Sequence, residues 1–269
     1  MTPIFELSNV YYSYLGKFPA LNGISLTVNA GEKVCLIGAN GSGKSTVLTM
    51  LDGLIFPDSG VIRAFGTELT EAAFNNEQFS RDFRKKVGFV FQNPDIQLFC
   101  PTVKEDIVFG PLALDVGHEE IKNRLAKIAA LFGIEHLLER SPHQLSVGEK
   151  RKAAIATMLA IEPDVMILDE PTAGLDPLTT RHIIDIIIDA GNRGKTVITA
   201  THDLHIVPEI SDSVHVFDQT KKIIKSGNPA EILADQDFLL RNNLMHIHKH
   251  MHNGVFHSHP HSHLDHHAQ

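Results

Sequence analysis

Along residues 4–28 apolar and polar positions alternate, with turn signals at Leu15-Gly16 and Asn22-Gly23, the pattern of antiparallel strands that bury one face. Further along, the alternation gives way to short, continuous apolar runs at 34–37, 87–91, 165–168, 196–200 and 214–217. Runs of that length read as strands covered on both faces, and the helical stretches between them predict a mostly parallel core sheet. In 119–132, Ile121, Leu125, Ile128 and Phe132 recur at helical spacing, and the acids precede the basic residues as the helix dipole prefers. This amphipathic helix belongs to a helical subdomain expected over roughly 95–163. No solenoid-type repeat is visible. A chain of 269 residues can bury a substantial core and suits one α/β domain, expected over 1–240, followed by a distinct tail, 241–269.

Charge and composition narrow the partners. The net charge of −8, without a basic stripe interleaved with aromatics, argues against a nucleic-acid partner. Two cysteines, Cys35 and Cys100, are too few for a disulfide framework and fit a reducing compartment, with both read as structural. The N-terminus carries no signal-peptide pattern, and no uncharged apolar stretch reaches ~18 residues. A membrane role is therefore expected to need a partner.

The chemistry starts at Gly-Ala-Asn-Gly-Ser-Gly-Lys-Ser-Thr (38–46), which fits G-x-x-x-x-G-K-[ST] immediately after the apolar run Val34–Ile37. Gly38, Gly41 and Gly43 let the backbone turn tightly, so that amides of this loop, including those of Asn40 and Ser42, aim at a polyphosphate at a helix N-terminus. Lys44 supplies a point charge for the β/γ-phosphates, Ser45 is placed to put its hydroxyl on Mg²⁺, and Thr46 to touch the α-phosphate side. A second element, Val165-Met166-Ile167-Leu168-Asp169-Glu170, ends a buried strand in two acids. Asp169 suits Mg²⁺, directly or through water, and Glu170 suits a general base for an attacking water. Alone, such acids are more often a solvated strand end, but the continuation Asp-Glu-Pro-Thr-Ala-Gly-Leu-Asp-Pro (169–177) is too specific for that.

With Leu-Ser-Val-Gly-Glu-Lys-Arg at 145–151 between those two elements, the chain resembles the ATP-binding subunit of an ABC transporter over nearly all of 4–235. The resemblance implies a P-loop NTPase (RecA-like) core sheet, an antiparallel β subdomain and an α-helical subdomain carrying the signature. It also implies ATP and Mg²⁺, a second ATPase subunit bound head to tail, and a place at the cytoplasmic face of a membrane. Carried over one at a time, Tyr14 resembles the aromatic that stacks on adenine, with Tyr11 and Tyr12 competing for the role. Gln92, in Val-Phe-Gln-Asn-Pro (90–94), resembles the Q-loop glutamine that touches Mg²⁺ or the attacking water. His202, in Ala-Thr-His-Asp (200–203), resembles the switch histidine that senses the γ-phosphate, and Asp176 the D-loop aspartate at the dimer interface. Asp176 also reads simply as a helix cap before Pro177. In the family, the signature serine and following amides hold the γ-phosphate of a nucleotide on the other subunit, a role that falls to Ser146 and Gly148. Val147 and Glu149 depart from the usual Leu-Ser-Gly-Gly-Gln. A β-branched residue restricts the backbone there, and a carboxyl stands near a polyanion site, so both are expected to weaken ATP-driven closure.

Two segments, 91–99 and 102–111, resemble the ATPases of energy-coupling-factor transporters, particularly the cobalt and nickel uptake group. That likeness implies a transmembrane coupling subunit and a substrate-binding membrane subunit, with Phe99, Val103, Ile107 and Phe109 as candidate contacts, each equally readable as subdomain core. Ten of the 17 histidines fall between His246 and His267. Imidazole suits Ni²⁺, Co²⁺ and Zn²⁺, and alternate spacing puts His246, His248, His250 and His252, then His257, His259, His261 and His263, on one side of extended strands. With few apolar residues, the tail is expected to be disordered without metal. The expected function is ATP-driven uptake of a divalent metal, nickel or cobalt. The alternatives are vitamin or other nutrient uptake, and a soluble metal-storage protein using the fold as a scaffold.

Overall fold

The computed structural model describes residues 2–252 and 255–261. The chain opens with a long hairpin, β1 (Pro3–Tyr14) and β2 (Phe18–Asn29), whose alternating inward residues Phe5, Leu7, Leu26 and Val28 are buried. Only the first of the two turn signals makes the turn. Asn22-Gly23 lies within β2, where Gly23 takes φ +75° at a register irregularity opposite Val10 and Tyr11. β3 (Lys33–Gly38) then enters the second sheet and runs into α1 (Lys44–Leu51). β4 (Ser59–Ala64), β5 (Thr67–Glu68), α2 (Glu71–Phe74) and α3 (Glu77–Lys86) follow, leading into β6 (Val87–Val90). The helical subdomain comprises α4 (Val103–Ala113), α5 (His118–Phe132) and α6 (Val147–Ala160). After it come β7 (Val165–Asp169), α7 (Pro177–Asn192), β8 (Thr196–Thr201), α8 (Val207–Ile210), β9 (Ser213–Phe217) and β10 (Ile223–Gly227). The C-terminal part is α9 (Pro229–Ala234), α10 (Gln236–Arg241), β11 (His246–His252) and β12 (Val255–His261).

The second sheet has the order β10-β9-β3-β8-β7-β6. All neighbours are parallel except β10, which returns antiparallel to β9 along an edge. The five apolar runs form the parallel strands, and Val34, Leu36, Ile37, Ile167, Ile198 and Val216 are essentially inaccessible. Each such side chain contributes roughly 1.5–3 kcal/mol on burial, so Ile37→Ala should cost about 2–5 kcal/mol. The first sheet, β2-β1-β4-β5, is antiparallel and shares a core with α1 and the inner strands. A second core joins α4, α5, α6 and α7 to the other face of the parallel sheet. No helix among the described residues is long and apolar enough to cross a membrane.

Strand registers align the carboxyl ends of the parallel strands. Gly38 lies opposite Phe217, Ile37 opposite Thr201, and Asp169 opposite Ala200. Loops leaving β3, β7 and β8 therefore emerge side by side at one sheet edge, where ligands of open α/β sheets bind. β11 and β12 pair antiparallel, His246 opposite His261 and His250 opposite His257. His263 lies outside the described residues.

Candidate functional site

The loop after β3 is shaped by glycines that nothing else can replace. A Cβ on Gly43, at φ +108°, would stand 2.5 Å from the Ala20 carbonyl, and one on Gly38 would meet the Phe217 carbonyl and Ser42 Oγ at 2.7 Å. Gly43 is also the N-cap of α1 and offers no side-chain cap, so the first amides of the helix have no capping partner. Buried Lys44 donates from Nζ to the carbonyls of Gly38 (2.6 Å) and Ala39 (3.3 Å), neither of which is a countercharge. Burial pulls its pKa down, and the nearby Glu170 and Asp169 pull it back up. The turn between β9 and β10 fastens the loop from outside. Lys221 Nζ donates to the Gly41 carbonyl and Gln219 to that of Asn40, while Asn22 bonds the carbonyls of Lys221 and Thr220. Sequence reasoning missed this clamp, since turn residues so distant from 38–46 carry no motif of their own.

Asn40, Gly41, Ser42, Gly43, Lys44, Ser45 and Thr46 line one cavity of about 350 Å³ together with Tyr14, Gln92 and Glu170. Of the three candidate tyrosines only Tyr14 lines it, tethered by its hydroxyl to Thr46 Oγ1 at 3.2 Å and set edge-on to Tyr12. Phe18, largely exposed, stands at the same mouth as a second flat surface. Gly38 bounds a neighbouring cavity with Asn40 and His202.

Asp169 and Glu170 are both buried. Burial raises the pKa of Asp169, with the Ser45 hydroxyl, Lys44 and Arg151 acting against the shift and Glu170 adding to it. Its Oδ1 is buried without a hydrogen-bond partner. An unpaired carboxylate oxygen beside Ser45 is the donor set that suits Mg²⁺, a hard cation, so the residues present fit that ion. Glu170 sits in left-handed backbone at φ 48°, a conformation that a non-glycine residue keeps only when its surroundings hold it. Its amide donates to Ala200 O at 2.9 Å. Its Oε2 lies 2.8 Å from His202 Nδ1 and accepts from Thr201 Oγ1 and the His202 amide at 3.4 Å. The Glu170 contact raises the His202 pKa against the opposing effect of burial.

Gln92 is held through its backbone. Arg151, buried in α6, donates Nη1 to the Phe91 carbonyl (2.9 Å) and Nη2 to the Gln92 carbonyl (2.7 Å). The amide of Gln97 accepts from Phe91 N and donates to Ala154 O and Thr157 Oγ1, also in α6. The loop following β6 is thus bound to the helix that begins with the signature. Arg151 and Gln97 were overlooked in the sequence, although Arg151 is the last residue of the signature heptapeptide.

The signature itself caps α6. Ser146 is the N-cap, and Glu149 Oε2 accepts from both the Ser146 amide and its hydroxyl at 2.7 Å. Those two bonds hold the Glu149 carboxyl below its ordinary pKa range. Val147 is exposed in the first helical turn. Asp176 caps α7, accepting from the Leu178 and Thr179 amides. Ser146, Gly148 and Asp176 share a cleft of about 370 Å³ that has no lining residue in common with the phosphate-loop cavity. The sequence-predicted site therefore falls into two separate halves.

A third surface lies beside the loop after β6. Phe99 and Phe109 are exposed and pack edge to face at 5.0 Å over a groove of about 620 Å³ that also contains Phe89, Arg81 and Arg84. Val103 and Ile107, also candidate contacts, are completely buried between the helices. Val103 and Ile107, four residues apart, share one face of α4, turned into the core and away from Phe109. Among the described residues no group of three or more His, Cys, Asp and Glu side chains is placed to hold a metal ion.

Comparison with known proteins agrees with this layout. Residues 21–173 match the family model described as ABC transporter. The nickel import ATP-binding protein NikO of Rhodobacter capsulatus is 49% identical over 248 residues, 91% of this chain and 97% of that protein. Among solved structures, cbiO1 from Clostridium perfringens, part of the ABC transporter complex cbiONQ, superposes with a TM-score of 0.75 at 36% identity, over 91% of this chain and 96% of that one. The ATP-binding cassette MJ0796, in a dimeric post-hydrolysis state with ADP and Pi, gives a TM-score of 0.75 at 26% identity, over 84% of this chain and 98% of that one.

Proposed function

This chain belongs to the ABC transporter family as an ATP-hydrolysing subunit, and from that premise we propose that it powers uptake of a divalent transition metal, nickel or cobalt. ATPases of this family dimerise and partner with transmembrane subunits. The observation that carries the dimeric mechanism is the division of the site. Phosphate-loop cavity and signature cleft share no residue, so one chain's Ser146 and Gly148 serve the nucleotide of the other.

In this reading Tyr14 stacks on adenine, the amides of 40–46 and Lys44 hold the phosphates, and Lys44 exchanges its two loop carbonyls for phosphate oxygens. Ser45, Gln92 and Asp169 would hold Mg²⁺, which when bound would neutralise charge developing on the phosphates. Glu170, positioned by its left-handed backbone and by His202, accepts the proton of the attacking water. Asp176 leaves part of its capping role for the interface. Gln92, bound through Arg151 to the signature helix, passes nucleotide occupancy to the Phe99–Phe109 groove, where the transmembrane coupling subunit docks. A substrate-binding membrane subunit completes the complex, and the ATPase sits peripherally at the cytoplasmic face.

The metal cargo rests on likeness across most of the chain to a nickel import protein, joined to the histidine-rich tail as a holder of Ni²⁺, Co²⁺ or Zn²⁺. Uptake of labelled nickel and cobalt by cells expressing the chain with its native membrane subunits tests it. Uptake should depend on the chain and vanish with Glu170→Gln, which should lower turnover by about 10²–10⁴-fold. Uptake of a vitamin instead, with nickel and cobalt unmoved, would sink the cargo assignment and leave the ATPase intact.

A further inference from the structure

The turn between β9 and β10 carries a cation that the nucleotide motifs leave unused. Lys221 lines the phosphate-loop cavity, and Lys44, Glu170 and Lys221 are the charged residues of its wall. Lys44 and Glu170 offset one another, so Lys221 leaves that wall with a positive balance toward a polyanion. Its Nζ donates to the Gly41 carbonyl, and among the described residues no carboxylate stands within ion-pair distance of it. An ammonium has three donors and no acceptor, so two donors remain for a ligand. Lys44 rests in the same way on the carbonyls of Gly38 and Ala39.

The backbone holds the side chain there at a cost. Lys221 takes φ +66°, left-handed backbone that a residue with a Cβ keeps only where its surroundings impose it. Asp218 Oδ1 closes the turn, accepting from the Thr220 amide at 3.0 Å, the Thr220 hydroxyl at 2.7 Å and the Lys222 amide at 3.2 Å. Asn22 of β2 donates its amide to Lys221 O at 3.0 Å and its side chain to Thr220 O at 3.3 Å. Glycine at 221 would make the same turn without the strain, so what lysine adds is the cation. We infer that Lys221 is a second phosphate-binding cation, contacting phosphate oxygens of the bound nucleotide alongside Lys44. It comes from outside every nucleotide motif of the chain. This role rests on the cavity being the nucleotide site and is independent of the transported cargo.

Nucleotide titration tests it. Full-length chain, free of nucleotide and kept in EDTA so that no turnover occurs, is titrated with ATP in a calorimeter at several salt concentrations. Lys221→Gln keeps a donor for the Gly41 carbonyl but removes the charge. It should weaken ATP binding about tenfold or more, the range for a lost charge-assisted contact, and flatten the salt dependence of the affinity. Lys221→Arg keeps the charge and should retain most of the affinity and the parent's salt slope. Lys221→Gly relieves the left-handed strain, so it should melt at a higher temperature than the parent while binding ATP as weakly as Lys221→Gln. Parent-like affinity and slope in Lys221→Gln would mean that the side chain only fastens the loop, and would overturn the inference, as would weaker binding with an unchanged slope. Lys44→Ala separates the two levels. Parent-like ATP binding in that variant would sink the nucleotide reading of the cavity itself, whereas binding lost in Lys44→Ala and kept in Lys221→Gln would sink the role of Lys221 alone.

Discussion

Glu170 and His202 make a pair whose charge state the environment decides. The carboxylate at 2.8 Å raises the His202 pKa above the ordinary imidazole value near 6.5, so folding favours the protonated ring. The stabilisation is fully present below about pH 6.5 and is lost as pH rises through the raised value. Thermal melts of the nucleotide-free chain should show His202→Ala destabilising at about pH 6 and progressively less so toward pH 8.5, and the same substitution in a Glu170→Gln background should lose this pH dependence. Glu149 poses a different question. Its carboxylate engages the signature hydroxyl and, in the proposed dimer, would face the partner's γ-phosphate, so it is expected to help the free chain and oppose the closed one. Glu149→Gln removes the charge at the helix N-terminus, costing roughly 0.3–1 kcal/mol in a denaturant melt. In a Glu170→Gln background it should nevertheless raise the dimer fraction at fixed ATP in sedimentation. A reduced dimer fraction would mean that the carboxylate helps closure.

At the level of elements, α6 holds the loop after β6 through the Arg151 guanidinium, assisted by the Gln97 amide. Arg151→Met keeps the bulk and strands two carbonyls, with an expected loss of about 1.5–3 kcal/mol, the range for hydrogen bonds to a charged group. As a positioning residue it should lower kcat while leaving the ATP KM nearly unchanged, and Arg151→Lys should restore stability only in part, because one ammonium does not reproduce the two-pronged geometry. Equal effects on kcat and KM would point to general unfolding of the site. This contact also marks where sequence reading stopped. Buried strands and the helix at 118–132 were legible because each carries its own hydrophobic period. α3 was not, since it buries only Phe83, and β10 was not, since it is a half-exposed edge. Asn-Gly at 22–23 reads as a turn in the sequence but is absorbed as an irregularity inside β2, because β1 continues to offer partners. The phosphate loop and its acids were legible as local motifs. The clamp from Gln219 and Lys221, and the grip of Arg151 on Gln92, join residues about 60 to 180 positions apart and leave no local trace.

For the whole molecule, the two separated half-sites make a prediction that no single chain can satisfy. Lys44→Ala disables the phosphate-loop half. Gly148→Asp obstructs the signature half while sparing its own fold, because the nearest atoms to a Cβ at 148 are 3.9 Å away and an acid suits the first turn of α6. Each variant alone should hydrolyse almost no ATP, since every dimer it forms has both composite sites broken. In an equal mixture half of the dimers carry one chain of each kind. Such a dimer pairs the intact phosphate loop of the Gly148→Asp chain with the intact signature of the Lys44→Ala chain, while its second site has both defects. If the sites fire independently, specific activity should recover to about a quarter of the parent value, and dilution that dissociates the dimer should abolish it. A chain that closed its own signature over its own phosphate loop would gain nothing from mixing, because no subunit in the mixture carries both halves intact.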